Sequence, residues 1–202
     1  MTRPAMIYLM RIFVALFMPL ALLACSSEPP PLQGAKIGGP FTLVDKSGKQ
    51  VRWSDFAGQY RIVYFGYTFC PDACPMDVQA MMSGYRTFEQ ARPALAAKVQ
   101  PIFISIDPAR DTPQAVGQFA AAFHPRLLGL TGTPEQVAAA ARAFAAYSAK
   151  GEESAGGYLM DHSRAAYLMG PQGEPIALLP VDKAPPGQAA AAVAAELEKW
   201  VE

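Results

Sequence analysis

The stretch YFGYTFCPDACPM, residues 64–76, decides how this chain is organised. An apolar, aromatic run from Ile62 to Phe65 leads into Gly66-Tyr67-Thr68-Phe69, and cysteines follow at 70 and 74, each directly before a proline. A residue preceding proline is pushed out of the α region, so neither cysteine is expected inside a helix. Proline suits the first helical position, which makes Pro75 the expected N1 residue and Cys74 the cap. The resulting picture is a buried strand, a tight turn carrying Cys70, and a helix that starts at Cys74. Thiols at a helix N-terminus meet the dipole and free N–H groups, which favour thiolate.

Outward from this turn, strands and helices alternate. Phe41-Thr42-Leu43-Val44 and Val51-Arg52-Trp53 flank Lys46-Ser47-Gly48-Lys49, a hairpin signal. Arg61–Phe65 has the composition of a strand buried on both faces. The helix after the cysteines runs to about Arg92 and carries Met76, Val78, Met81, Met82, Tyr85 and Phe88 broadly at helical spacing. Val99–Ile106 reads as a second buried strand, and Thr112-Pro113 caps a helix through Phe123. Leu127–Leu130 is a third strand, and Thr133-Pro134-Glu135 opens a helix reaching about Tyr147. Gly151–Gly157, rich in glycine and acid, reads as a loop. Arg164–Met169 and Glu174–Leu179 are strands joined by Gly170-Pro171-Gln172-Gly173, and Pro185-Pro186 opens a last helix, Gly187 to Val201. The fold class is α/β: a central mixed sheet with helices on both faces and an N-terminal β-hairpin extension. A cysteine pair at the turn from a buried strand into a helix is the thioredoxin arrangement.

Basic and acidic residues balance at 17 each, which leaves no electrostatic footprint for nucleic acid. Residues 1–24 have the form of an export signal: Arg3 and Arg11, then an apolar run from Ile12 to Ala24 with no acid before it. The run is short for a membrane span. Leu22-Leu23-Ala24-Cys25 resembles the lipobox of bacterial lipoproteins, which implies cleavage before Cys25 and lipidation there. The following SSEPPP places a Pro-rich, solvated tether over residues 25–36 and the globular domain over 37–202. With Cys25 lipidated, Cys70 and Cys74 are the remaining thiols. Their spacing permits a disulfide in an oxidising compartment. So short a loop would add little stability, so a purely structural bridge explains the pair poorly.

The chain has two histidines. His124, in Phe123-His124-Pro125, suits the last carbonyls of a helix and carries no further expectation. His162, between Asp161 and Ser163, precedes an apolar strand that can neighbour Ile62–Phe65. Asp161 is then placed to orient the imidazole. Two cysteines and one histidine form a soft set suited to copper. A structural zinc site would call for a fourth ligand, from water or Asp72. Met76, Met81, Met82 and Met169 read as core residues, and Met160 is open. Asp72 and Asp77 suit a helix N-terminus.

Together, YFGYTFCPDACPMD, PIFISIDPARDTP and YLMDHSRAAYLMGPQG resemble the Sco/SenC family of copper proteins, over roughly Ile37 to Trp200. The resemblance implies a membrane-tethered, thioredoxin-like protein that helps assemble the CuA centre of cytochrome c oxidase. It implies copper, as Cu(I) or Cu(II), held by Cys70, Cys74 and His162, with Asp161 beside His162. The implied partners are the copper-bearing oxidase subunit and a further periplasmic copper chaperone or thiol reductant. The implied location is the bacterial cell envelope, with a lipid anchor in the inner membrane and the domain facing the periplasm. The alternative is a thiol–disulfide oxidoreductase that reduces the oxidase cysteines with Cys70 and Cys74 alone.

Overall fold

The computed structural model describes residues 28–154, 157–182 and 186–202. The expected signal segment and Cys25 lie outside them. In chain order come β1 (Thr42–Val44), β2 (Gln50–Arg52), a 3-10 turn over Trp53–Phe56, β3 (Tyr60–Gly66), α1 (Ala73–Ala91), α2 (Pro93–Ala96) and β4 (Val99–Ser105). There follow α3 (Pro113–Phe123), β5 (Leu128–Leu130), α4 (Pro134–Ala143), β6 (Ser148–Ser154), β7 (Gly157–His162), β8 (Ala166–Met169), β9 (Pro175–Leu179) and α5 (Pro186–Trp200).

The strand β3 is buried along its whole length and is the centre of a five-stranded sheet ordered β5-β4-β3-β8-β9. Strand β4 lies parallel to β3 and β5 parallel to β4, whereas β8 runs antiparallel to β3 and β9 to β8. This is the mixed, thioredoxin-like α/β sheet that the sequence predicts. Side chains alternate across it, as the period of two requires. On one face Tyr64 stacks on Phe103, which meets Phe119 of α3. On the other, Phe65 and Tyr167 meet Phe144, which also contacts Trp53. Helix α5 packs closely on α1 at Gly84, where a Cβ would come within 2.6 Å of Val193 Cβ and the Ala190 carbonyl. Arg61, inside the buried strand, donates from Nη1 to the carbonyls of Gly170 (2.7 Å) and Pro171 (3.2 Å) and stacks on Trp53.

Two elements differ from expectation. Helix α4 stops at Ala143, short of Tyr147. Burial of Phe144 between the sheet and Trp53 turns the chain, and Ala145 takes the left-handed position at φ 50°. The N–H of Ala146 returns to the Ala141 carbonyl and that of Ala145 to Arg142, a Schellman closure with alanine where glycine is usual. The second difference is that the expected loop contributes to a two-stranded ribbon, β6 paired with β7. Its composition, Ser-Ala-Lys-Gly-Glu-Glu-Ser, is poor in the residues that mark strands, and pairing supplies what propensity lacks. At the N-terminal end, part of the Pro-rich segment lies along the domain: the Leu32 N–H bonds to the Ile176 carbonyl at 2.9 Å, and Glu28 pairs with Lys199.

Candidate metal centre

Strand β3 ends at the mouth of the site, and the turn after it is fixed by a buried carboxylate. Asp111 accepts from the Thr68 backbone N–H (3.1 Å), the Thr68 hydroxyl (2.6 Å) and the Ser105 hydroxyl (2.6 Å). The turn closes with the Cys70 N–H bonding to the Tyr67 carbonyl. Helix α1 then starts at Ala73, earlier than expected, with Asp72 as its cap and Cys74 already inside the first turn. The physical reason is that first-turn N–H groups have no intrahelical partner, so proline at 75 forfeits nothing there. The Asp72 carboxylate accepts from the Ala73 N–H, and the Cys74 N–H finds Cys70 Sγ at 3.2 Å.

The ribbon brings the third group. In β7 exposed and half-buried residues alternate, with Tyr158, Met160 and His162 on the inner side and Leu159 and Asp161 on the outer. Arg110 holds this ribbon to the β4–α3 connection. Its guanidinium lies 3.6 Å above the Tyr158 ring and donates to the Tyr158 carbonyl at 2.9 Å. The Tyr158 hydroxyl donates to Asp107 at 2.8 Å. Strand β8, next in the chain, pairs with β3 as anticipated, placing His162 over the cysteine turn.

Cys74 Sγ and His162 Nε2 are 3.0 Å apart, and the donor atoms of Cys70, Cys74 and His162 all lie within 4.8 Å of one another. Cys74 is fully buried, Cys70 and His162 are half-buried, and both cysteines are free thiols here. The Tyr64 and Tyr67 rings stand perpendicular to the imidazole, with centroids at 6.3 and 5.9 Å. His162 Nδ1 lies 2.9 Å from the Ser163 carbonyl. A carbonyl can only accept, so Nδ1 carries the proton and the Nε2 lone pair faces Cys74. Burial pushes the Cys74 thiol far up, outweighing the helix N-terminus that was expected to favour thiolate. Such a set, two sulfurs and one imidazole nitrogen at the edge of a shallow cleft, suits a soft cation.

Three sequence expectations are corrected by this geometry. The partner that orients His162 is the Ser163 carbonyl rather than Asp161, because neighbours on a strand point to opposite sides. Met76, expected in the core, is 53% exposed at the start of α1, whereas Met81, Met82 and Met169 are buried as expected. Asp77, read as an acid favouring the helix dipole, is 1% exposed and bound to Tyr64 and Arg164. Met160 lines the cleft beside Cys70 and His162. Arg110, Asp111, Tyr158 and Arg164 were not singled out. The alternation Tyr158-x-Met160-x-His162 was the signal that could have revealed the strand.

A family model described as SCO1/SenC matches residues 29–199. The mitochondrial SCO1 homolog 1 of Arabidopsis thaliana is 41% identical over 145 residues, covering 72% of this chain and 42% of that protein. Protein SenC of Rhodobacter capsulatus is 42% identical over 142 residues, covering 68% of this chain and 61% of that protein. The crystal structure of Arabidopsis thaliana ScoI with copper bound matches with a TM-score of 0.72 at 36% identity, covering 81% of this chain and 99% of that one. The chain spans about half the length of the curated relatives it matches first.

Proposed function

The chain belongs to the SCO1/SenC family, and from that premise we propose that it carries copper as cargo for assembly of the CuA centre of cytochrome c oxidase. The observation that carries this reading is the approach of His162 Nε2 to Cys74 Sγ at 3.0 Å, with Cys70 Sγ in the same cluster. Cys70, Cys74 and His162 are the ligands. Thiolates suit Cu(I), and the imidazole accepts copper in either oxidation state. Cys74, kept protonated by burial, must release its proton on binding, so uptake is coupled to proton release. A half-buried site at the surface, rather than a sealed one, fits a metal that has to leave again. The recipient is the copper-bearing oxidase subunit, and a periplasmic copper chaperone or thiol reductant would act before it.

The same reading places the chain in the bacterial cell envelope, facing the periplasm, with a lipid on Cys25 after removal of residues 1–24. Residues 25–36 then serve as the tether and 37–202 as the copper-binding domain. Among the described residues no helix is long and apolar enough to cross a membrane.

A second reading, thiol–disulfide exchange on the oxidase cysteines, is favoured by one observation. Partly exposed Cys70 precedes fully buried Cys74, the order of an attacking and a resolving thiol. That reaction needs no imidazole. Anaerobic copper titration of the full chain, with thiols counted before and after, separates the two. Copper delivery expects one equivalent bound tightly, with binding lost in Cys70→Ala and in His162→Ala while the fold persists. Tight binding retained in both variants would sink the three-ligand model. Reductase activity undiminished by His162→Ala and by copper removal would favour the second reading.

A further inference from the structure

We propose that the Asp77–Arg164 ion pair is a latch that holds the imidazole of His162 against Cys74 and so sets the affinity of the site. This rests on the copper reading above. Asp77 sits on α1 three residues after Cys74, and Arg164 follows His162 by two. The pair therefore ties the helix that carries Cys74 to the segment that carries the imidazole. Arg164 donates twice, from Nε to Asp77 Oδ2 at 2.8 Å and from Nη2 to Oδ1 at 2.5 Å. Two parallel charge-assisted bonds fix direction as well as distance. A third comes from the Tyr64 hydroxyl to Oδ2 at 2.9 Å, and the same tyrosine ring stands perpendicular to the His162 imidazole. One buried carboxylate thus organises strand, helix and histidine segment at a single point.

The pairing of β8 with β3, beginning at Tyr64 and Ala166, sets the backbone path of this segment, and the ion pair adds a side-chain tie from it to α1. The Nδ1 contact of His162, to the Ser163 carbonyl, lies within its own segment and moves with it. The ribbon's main anchor, Tyr158 on Asp107 and Arg110, is at the far end of β7. Asp77 is 1% exposed, so undocking Arg164 would strand a buried carboxylate, and that cost keeps the segment seated. Arg164 itself remains 40% exposed along its side chain and borders the cleft with Cys70, Met160 and His162. Among the described residues its hydrogen bonds go to Asp77 and to none of the three ligands. Its role is positioning.

The test is a double-mutant cycle on the full chain. Cu(I) affinity is measured anaerobically by competition with a chromophoric chelator, beside the Cu(II) absorption and EPR spectra and thermal unfolding of the metal-free protein. Arg164→Met keeps the aliphatic stem and removes the fork. It should weaken Cu(I) binding about 10–100-fold, the range of outer partners of metal ligands, and shift the Cu(II) spectrum. Arg164→Lys, which retains charge without the fork, should fall between and keeps the proposal testable if the methionine variant is poorly folded. In a His162→Ala background, Arg164→Met should add nothing, because a latch acts only through the residue it holds. Wild-type affinity and spectrum in Arg164→Met, or an equal loss in the His162→Ala background, would overturn the latch while leaving the copper reading intact. A wild-type chain that takes up no copper would instead overturn the functional reading and the latch with it.

Discussion

The chain's two histidines mark opposite ends of the central sheet. His162 lies where β3 ends, and His124 where β5 is about to begin. Both meet tyrosine rings in T-shaped contacts, Tyr64 and Tyr67 at one end and Tyr85 at 5.3 Å at the other. What differs is what their nitrogens face. His124 is 5% exposed and closed on both sides: Nε2 lies 3.3 Å from Glu89 and Nδ1 accepts the Arg126 N–H at 3.2 Å. His162 spends Nδ1 on a carbonyl and leaves Nε2 among two sulfurs at the surface. A histidine becomes a ligand because one nitrogen is fixed and the other is left facing soft donors. Burial and aromatic company alone do not make one.

Exchanging the roles of the two ends is the strongest way to break this contrast. His162→Ala should lower Cu(I) affinity by at least about 100-fold, beyond the loss typical of an outer partner, because a ligand itself is gone. His124→Gln should leave it unchanged. Chelator competition on both variants decides the matter; a large loss in His124→Gln would mean that the two ends are coupled.

Stability should answer in the opposite sense. Arg126 donates to the carbonyls of Ala96 (3.2 Å), Ala97 (3.2 Å) and Val99 (3.0 Å), closing the end where β4 begins. Arg126→Ala should cost about 1–3 kcal/mol in urea unfolding, since several carbonyls lose a charged donor, with copper affinity untouched. At the site end, Tyr158→Phe removes one hydrogen bond to Asp107. It should cost only about 1 kcal/mol, yet loosen the ribbon, seen as faster amide exchange in 148–162 and copper binding weaker by a few-fold. Unchanged exchange there would show that Arg110 alone holds the ribbon.

The same contrast explains what could be read from the chain itself. The cysteine end is local: strand, turn, thiols and helix lie within residues 60–91, and pattern rules located them to within a few residues. The central mixed sheet and the hairpin at 170–173 followed from apolar runs and turn residues. The histidine end is not local. His162 reaches the thiols through β6, a polar segment that is a strand only because β7 pairs with it, and through Arg110 and Asp77, whose partners lie 48 and 87 residues away. Buried ion pairs carry no periodic signature. Asp77, close after the expected helix start at Pro75, looks like any dipole-compensating acid until Arg164 is seen on it. Likewise the pull of the helix N-terminus on Cys74 was legible, but the burial that overrides it belongs to the folded core.

The smallest effect concerns acid. Burial, the main cause, holds His124 below the usual imidazole range, with Glu89 opposing and Arg86 and Arg126 assisting. The folded protein therefore keeps His124 neutral at a pH where the unfolded chain, with an ordinary imidazole near 6.5, has begun to take up a proton. The unfolded state then binds more protons, so stability must fall as pH falls. The contribution of His124 is fully present above about pH 7 and starts to fade as pH drops through the unfolded value near 6.5. The loss stops growing only below the lowered folded value. Carboxylates add their own dependence at lower pH, so the informative quantity is the difference between wild type and His124→Gln in urea midpoints from pH 7.5 to 5. Wild type should lose more stability over that window than the variant. Equal slopes would mean that Glu89 compensates the burial in full, and His124 would then be as indifferent to acid as it is to copper.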